Sequence, residues 1–246
     1  MKSNNWILLL GVAFLGSSFA VYSLHYLIFD DLHFIFKYLV AQLGFLPINV
    51  FLVTIVLNGL MSRRDKRARM QKLNMIIGAF FSEMGNDLLA RLSAYDDSLK
   101  QNNTHLIPNP KWSSQDYDGL REMVSQLILQ PDLQQHSLQE LHEYLSDKRQ
   151  LLLSFLENPN LLEHERFTDL IWAIFHLQDE MALRTDLIHL SKPEQAHLRR
   201  DMRRIFDLLI MQWIDYIQHM HSDYPYLHSL ALRTNPFDAN AKVELD

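Results

Sequence analysis

The chain has no cysteine, and that absence removes several chemistries at once. Disulfide frameworks, thiolate zinc sites, iron–sulfur clusters and cysteine nucleophiles are excluded. Glycine is scarce, at 7 of 246 residues, and none falls in a Gly-x-Gly-x-x-Gly, Walker or Gly-x-Ser-x-Gly arrangement. Loops that cradle phosphate on backbone amides need such glycines, so they are excluded as well. No His-Glu-x-x-His occurs, no segment alternates with period two, and no repeat of domain-building length is visible. Leu, Met, Gln and His are plentiful instead, which biases the chain towards helix.

Charge is missing from two long stretches. Trp6 to Phe29 and Tyr38 to Met61 are each 24 residues without Asp, Glu, Lys or Arg. At about 1.5 Å per residue either run crosses a hydrocarbon core of about 30 Å. Trp6, Tyr22, Tyr26 and Tyr38 stand near the ends, where amphipathic rings favour the headgroup level. Two core helices of a soluble protein would not need such uninterrupted runs. A cleavable signal peptide ending at Ser18-Phe19-Ala20 is the closer rival, but the apolar run continues nine residues further. The reading is a two-helix transmembrane hairpin over residues 1–61.

The flanks set its orientation. The link Asp30–His33 is acidic, whereas Ser62 to Lys72 packs six cations into eleven positions: Arg63, Arg64, Lys66, Arg67, Arg69 and Lys72. Lys and Arg are retained on the cytoplasmic side, so both the N-terminus and everything after residue 61 are expected inside. The expected location is therefore a cytoplasmic membrane, with the C-terminal domain on its inner side. The same six cations suit anionic lipid headgroups, although topology alone accounts for them. Nucleic acid is not an expected partner. Residues 73–246 hold 15 Lys and Arg against 26 Asp and Glu, a net −11 that repels a phosphate backbone.

Within the membrane runs, Pro47 removes a backbone donor and predicts a kink. Small residues Ala13, Gly16, Ser17, Ala20, Ala41 and Gly44 would permit close helix contact, with Gln42 and Asn49 as polar glue. A solute path is disfavoured, because no ionisable residue of a transport type lies in either core.

The remainder reads as an irregular helical bundle, so the fold class is all-α. A basic collar and amphipathic connecting helix occupies 62–99, with Met70, Leu73, Ile76, Ile77, Phe80, Phe81, Met84, Leu88 and Leu92 on a wide apolar face. Such a face needs cover from later helices or from a second chain, and Gly78, Ser82 and Gly85 beside it allow close approach. A Pro/Asn-rich loop from Lys100 to Trp112 leads to a helical domain at 113–232, followed by a flexible tail at 233–246. Cap patterns at Ser113/Asp116, Ser137/Glu140, Asn160/Glu163 and Ser191/Glu194 mark four helix starts. The last long helix carries Leu198, Met202, Ile205, Leu209, Trp213, Tyr216 and Met220 as a buried stripe.

Chemistry is thinner. His176 and Glu180 sit one turn apart on one face, with Glu165 and Asp169 earlier on roughly the same side. Carboxylates and imidazoles on facing helices are how bundle metal sites are built, so these four are the candidate ligands. No Glu-x-x-His pair supports them, and no cofactor is called for. Asp215 and His219 repeat the spacing elsewhere. Arg199, Arg200, Arg203 and Arg204 could grip an anion, but pairing with local Asp201 and Asp207 explains them more simply.

Three segments, "GFLPINVFLVTIVLNGLMSRRDKRARMQKLNMIIGAFFSEMG", "LLEHERFTDLIWAIFHLQDEM" and "YPYLHSLALRTNPF", resemble uncharacterised bacterial inner-membrane proteins. The resemblance implies two transmembrane helices and a helical cytosolic domain, and brings no activity with it. The expected function is a membrane-tethered module that binds a protein partner or itself. The alternative is a sensor or enzyme holding a metal or small ligand at His176 and Glu180.

Overall fold

The computed structural model describes residues 5–242 except 102, 135, 160, 162, 163, 239 and 240, and the backbone alone at 5, 63, 65, 67–69, 100, 101, 103 and 104. The fold is all-α, with no strand among the described residues. It divides into two compact units, Met1–Lys66 and Arg67–Asp246.

The first unit is the hairpin of α1 (Asn5–Phe29) and the start of α2 (Leu32–Phe80). The link is shorter than expected, only Asp30 and Asp31. Asp30 takes φ 50°, a left-handed value that Asp tolerates better than most residues. Asp31 then caps α2 by accepting the Phe34 amide at 2.8 Å. The chain therefore turns at once and α2 starts at Leu32, six residues before the charge-free run. Helix α2 runs from Leu32 to Phe80 with Pro47 inside it.

No described side chain from Trp6 to Met61 is buried. His25 stacks on Phe34 at 5.4 Å and Phe34 on Tyr38 at 6.2 Å, so bulky rings fill the turn. Beyond it the expected close approach is absent at Gly16 and Gly44, which have no atom within 4 Å of a Cβ position. Nor do the polar residues bridge the helices. Gln42 donates to the Tyr38 hydroxyl at 2.8 Å and Thr54 to the Val50 carbonyl at 2.7 Å, both on their own helix.

The second unit is built around α9 (Lys192–Asp223). The expected stripe is buried from Leu198 to Trp213, and Phe206, Ile210, Ile214 and Ile217 are buried too. A helix apolar on more than one side must be surrounded. It is: α8 (Glu165–Ala182), α10 (Pro225–Arg233), α5 (Ser114–Ser125) and α3 (Asn86–Ala94) all pack on it. Between them lie α4 (Asp97–Gln101), α6 (Leu138–Asp147) and α7 (Arg149–Leu156), the last two packed against α8.

The face that follows the collar is covered by these helices of the same chain. Ile77, Phe80, Phe81 and Met84 are all buried. Phe80 meets Phe167 edge-on at 5.1 Å and Phe155 at 5.8 Å, while Phe81 stacks on Tyr216 at 4.8 Å. The α-helical backbone is interrupted at this point by a π-helical turn, Phe81–Gly85. Such a turn inserts one residue and swings the following face round. Its Met84 carbonyl accepts from the Tyr144 hydroxyl at 3.0 Å.

Three of the four expected helix starts hold. Ser137 accepts from the Glu140 amide at 3.3 Å, and Ser191 forms a reciprocal box with Glu194. Ser113 donates to Asp116 from both its amide and its hydroxyl. Asn160 and Glu163 lie outside the described residues; α8 starts at Glu165, its Phe167 amide capped by His164 Nδ1 at 3.1 Å. The beginning of the expected flexible tail is docked. Phe237 packs edge-on against Trp213 at 5.3 Å, and buried Asn235 donates to the Leu106 carbonyl at 3.2 Å. One large ring and one amide suffice to hold a segment that reads as polar.

Candidate metal centre

Helices α8 and α9 make the site. They are joined through residues 183–191, and His176 lies near Asp201 while Glu180 lies near His197, a pairing that makes them antiparallel. Each helix presents a histidine followed one turn later by a carboxylate, so both pairs project from single faces. The His176 and His197 imidazoles meet edge-on, with centroids 6.2 Å apart. His176 Nε2 is 3.7 Å from Asp201 Oδ2, and His197 Nε2 is 3.4 Å from the same oxygen and 3.5 Å from Glu180 Oε2. Ligand atoms of His176, Glu180 and His197 lie within 4.8 Å of one another.

The two carboxylates differ in their surroundings. Glu180 is held by Arg184 at 2.6 Å, and Arg184 also donates to the Glu180 carbonyl. That guanidinium keeps the Glu180 carboxyl below its usual range, with the two imidazoles as smaller causes. Asp201 is 13% exposed, and its Oδ2 is sealed from solvent without a hydrogen bond. A carboxylate oxygen in that position carries an uncompensated desolvation cost.

The expected ligand set is thus half assembled. His176 and Glu180 come together, whereas Glu165 and Asp169 are exposed and lie elsewhere. Asp169 instead borders a shallow concavity with Arg200, Arg203, Arg204 and Asp207. The projection of α8 explains this: seven and eleven residues before His176 the helix faces another part of α9. His197 and Asp201 are the residues that sequence reasoning missed, although their His-x-x-x-Asp spacing repeats the His-x-x-x-Glu of α8. Asp215 and His219 do not pair; Asp215 binds Arg121 at 2.7 Å and His219 meets Asp223 at 3.0 Å. Arg199 and Arg203 turn to the Pro131 and Leu129 carbonyls, at 3.0 and 2.8 Å, where a pairing with nearby aspartates was expected. Loop carbonyls without helix or sheet partners need such donors.

Two other features complete the survey. A groove of about 810 Å³ runs past the π turn, floored by Phe81, Met84 and Ala231 and rimmed by Glu83, Asp87 and His219. His228, buried between α5 and α9, lies 3.3 Å from the Tyr117 hydroxyl and stacks on His221 at 4.7 Å. Burial, then the neighbouring His221, pushes its pKa down and favours the neutral ring. Of the collar cations, Arg64, Lys66 and Lys72 are exposed; the side chains of Arg63, Arg67 and Arg69 lie outside the described residues.

An apolar helical hairpin joined to an all-α domain defines the class of protein. Its family follows from two matches: residues 2–61 match the model described as "MJ1433, N-terminal helical domain", and residues 69–233 the one described as "Uncharacterized protein MJ1433, C-terminal helical domain". The chain belongs to this family. It is 36% identical over 238 residues to "Uncharacterized protein MJ1433" of Methanocaldococcus jannaschii, covering 97% of this chain and 96% of that one. That relative is archaeal, where the sequence reading had expected bacterial proteins. No solved structure matches.

Proposed function

We propose that this protein is a membrane-anchored helical module, its hairpin in the cytoplasmic membrane and its larger domain in the cytoplasm. In a bacterial cell that membrane is the inner one. The observation that carries the reading is the surface of α1 and early α2. Side chains such as Leu9, Phe19, Leu27, Val40 and Phe51 are exposed over two spans of 24 and 31 residues. Water would penalise that much apolar surface by about 25 cal/mol per Å², and lipid does not. The acidic link and the cationic collar give the orientation, and Arg64, Lys66 and Lys72 are exposed to meet headgroups.

Interaction with a protein partner, or with a second copy, is the role proposed for the domain. Trp172, Leu183 and Ile188 stand exposed on or beside α8, and large apolar side chains of this kind are what protein contacts bury. The test is a reporter active only in the cytoplasm, fused after Asp246 or inserted between Asp30 and Asp31. The protein should remain in membranes after alkaline carbonate washing, with the first fusion active and the second silent. Release by carbonate, or the reversed pattern, would overturn the anchoring or the orientation respectively.

A further inference from the structure

We propose that His176, Glu180 and His197, with Asp201 alongside, bind one divalent transition-metal ion of the zinc class and so clamp α8 to α9. The proposal does not rest on the membrane reading, because all four residues belong to the second unit.

Geometry comes first. Ligands bonded to zinc at about 2.0–2.1 Å in a tetrahedron stand about 3.3 Å from one another. Three of the separations among the four residues are 3.4, 3.5 and 3.7 Å, near that edge length, and the ligand atoms of His176, Glu180 and His197 all lie within 4.8 Å of one another. Both imidazoles direct Nε2 at the carboxylates, so one ion between them meets two nitrogens and an oxygen together.

The second observation is the sealed oxygen of Asp201. It receives no hydrogen bond, and the groups nearest to it are the two imidazole nitrogens. A divalent cation shared by the two imidazole nitrogens and the carboxylate would hold all three groups together and balance the charge of the sealed oxygen. Glu180 has the Arg184 guanidinium as a further partner, whereas Asp201 Oδ2 has the two imidazole nitrogens within ion-pairing distance.

Donor chemistry selects the ion. Two nitrogens and one or two carboxylate oxygens, without sulfur, suit Zn²⁺, Co²⁺, Ni²⁺ or Fe²⁺. An all-oxygen set would have pointed to Mg²⁺ or Ca²⁺. Arg184 already neutralises Glu180, which makes that carboxylate the weakest ligand and the adjustable one. His176 is half exposed at 51%, so the ion can enter from solvent on that side.

The experiment uses the full chain in detergent, stripped with chelator and titrated with Zn²⁺ in a calorimeter, then with Co²⁺ followed by visible absorption. One saturable equivalent is expected per chain, together with a Co²⁺ ligand-field band that Zn²⁺ abolishes. His197→Asn should weaken Zn²⁺ binding by roughly a hundredfold or more and remove the band, since even outer partners of a metal ligand are worth about 10–100-fold. Asp201→Asn should weaken it at least tenfold, while Glu165→Gln should leave it unchanged. His197 is 40% exposed, so the substitution should spare the fold; helical circular dichroism of the metal-free variant checks this. The proposal falls if no stoichiometric site appears, or if the folded His197→Asn variant binds as tightly as the parent.

Discussion

Gly85 shows how a single hydrogen atom can decide local packing. A Cβ there would stand 2.6 Å from Phe81 Cδ1 and 2.7 Å from Phe80 Cε1, and both rings are fully buried. Neither ring has space to retreat, so Gly85→Ala should cost about 1–3 kcal/mol, the usual penalty for overpacking. Gly78 is the opposite case. Its nearest neighbour would be Tyr216 Cε2 at 3.8 Å, ordinary contact, and Gly78→Ala should gain up to about 1 kcal/mol of helix propensity. Urea unfolding of the two variants should therefore move in opposite directions; the same sign for both would refute the packing argument. The sequence pattern placed both glycines beside an apolar face without distinguishing them, because the π turn that brings Phe81 over Gly85 leaves no mark on periodicity. His197 and Asp201 were missed for a related reason. Spacing reveals partners on one helix, but the facing of two helices depends on their register.

Elements were more legible than contacts. The two apolar runs became helices, and Ser113, Ser137 and Ser191 begin α5, α6 and α9 as their cap patterns require. These signals are local, made by residues within one turn. Where the outcome depended on distant groups the reading failed: a docked Phe237 needs Trp213, and the arginines of α9 need the carbonyls of Leu129 and Pro131. The box at Ser191 is more complete than the cap at Ser137. Glu194 Oε2 accepts from both the Ser191 amide and its hydroxyl, and these bonds hold the Glu194 carboxyl below its ordinary pKa. Ser191→Ala and Ser137→Ala should each cost on the order of 1 kcal/mol, as lost N-caps do. Thermal melts would check this, and unchanged midpoints in both would mean that the helix starts are held by packing alone.

At the scale of the molecule, the two units differ in what they bury. The hydrophobic core of the second runs from Leu73 to Phe237, and among the described residues none of its members comes from Met1–Lys66. Family matches ending at residue 61 and resuming at 69 bracket the same boundary. Composition made that division readable, because charge-free runs stop where the cations begin. The physical consequence is that the larger unit carries its own stabilising burial, including Phe80, Phe167, Ile171 and Trp213, whereas no described side chain from Trp6 to Met61 is buried. A fragment starting at Arg67 should accordingly be soluble without detergent and unfold in one cooperative step. Its midpoint should fall within about 2–4 °C of the full chain measured in the same mild detergent, the shift that about 1 kcal/mol produces in a domain of this size. A fragment that aggregates or melts without cooperativity would show that the core requires residues before Arg67. In that case the collar is a structural part of the domain, and the boundary lies further towards the N-terminus than burial indicates.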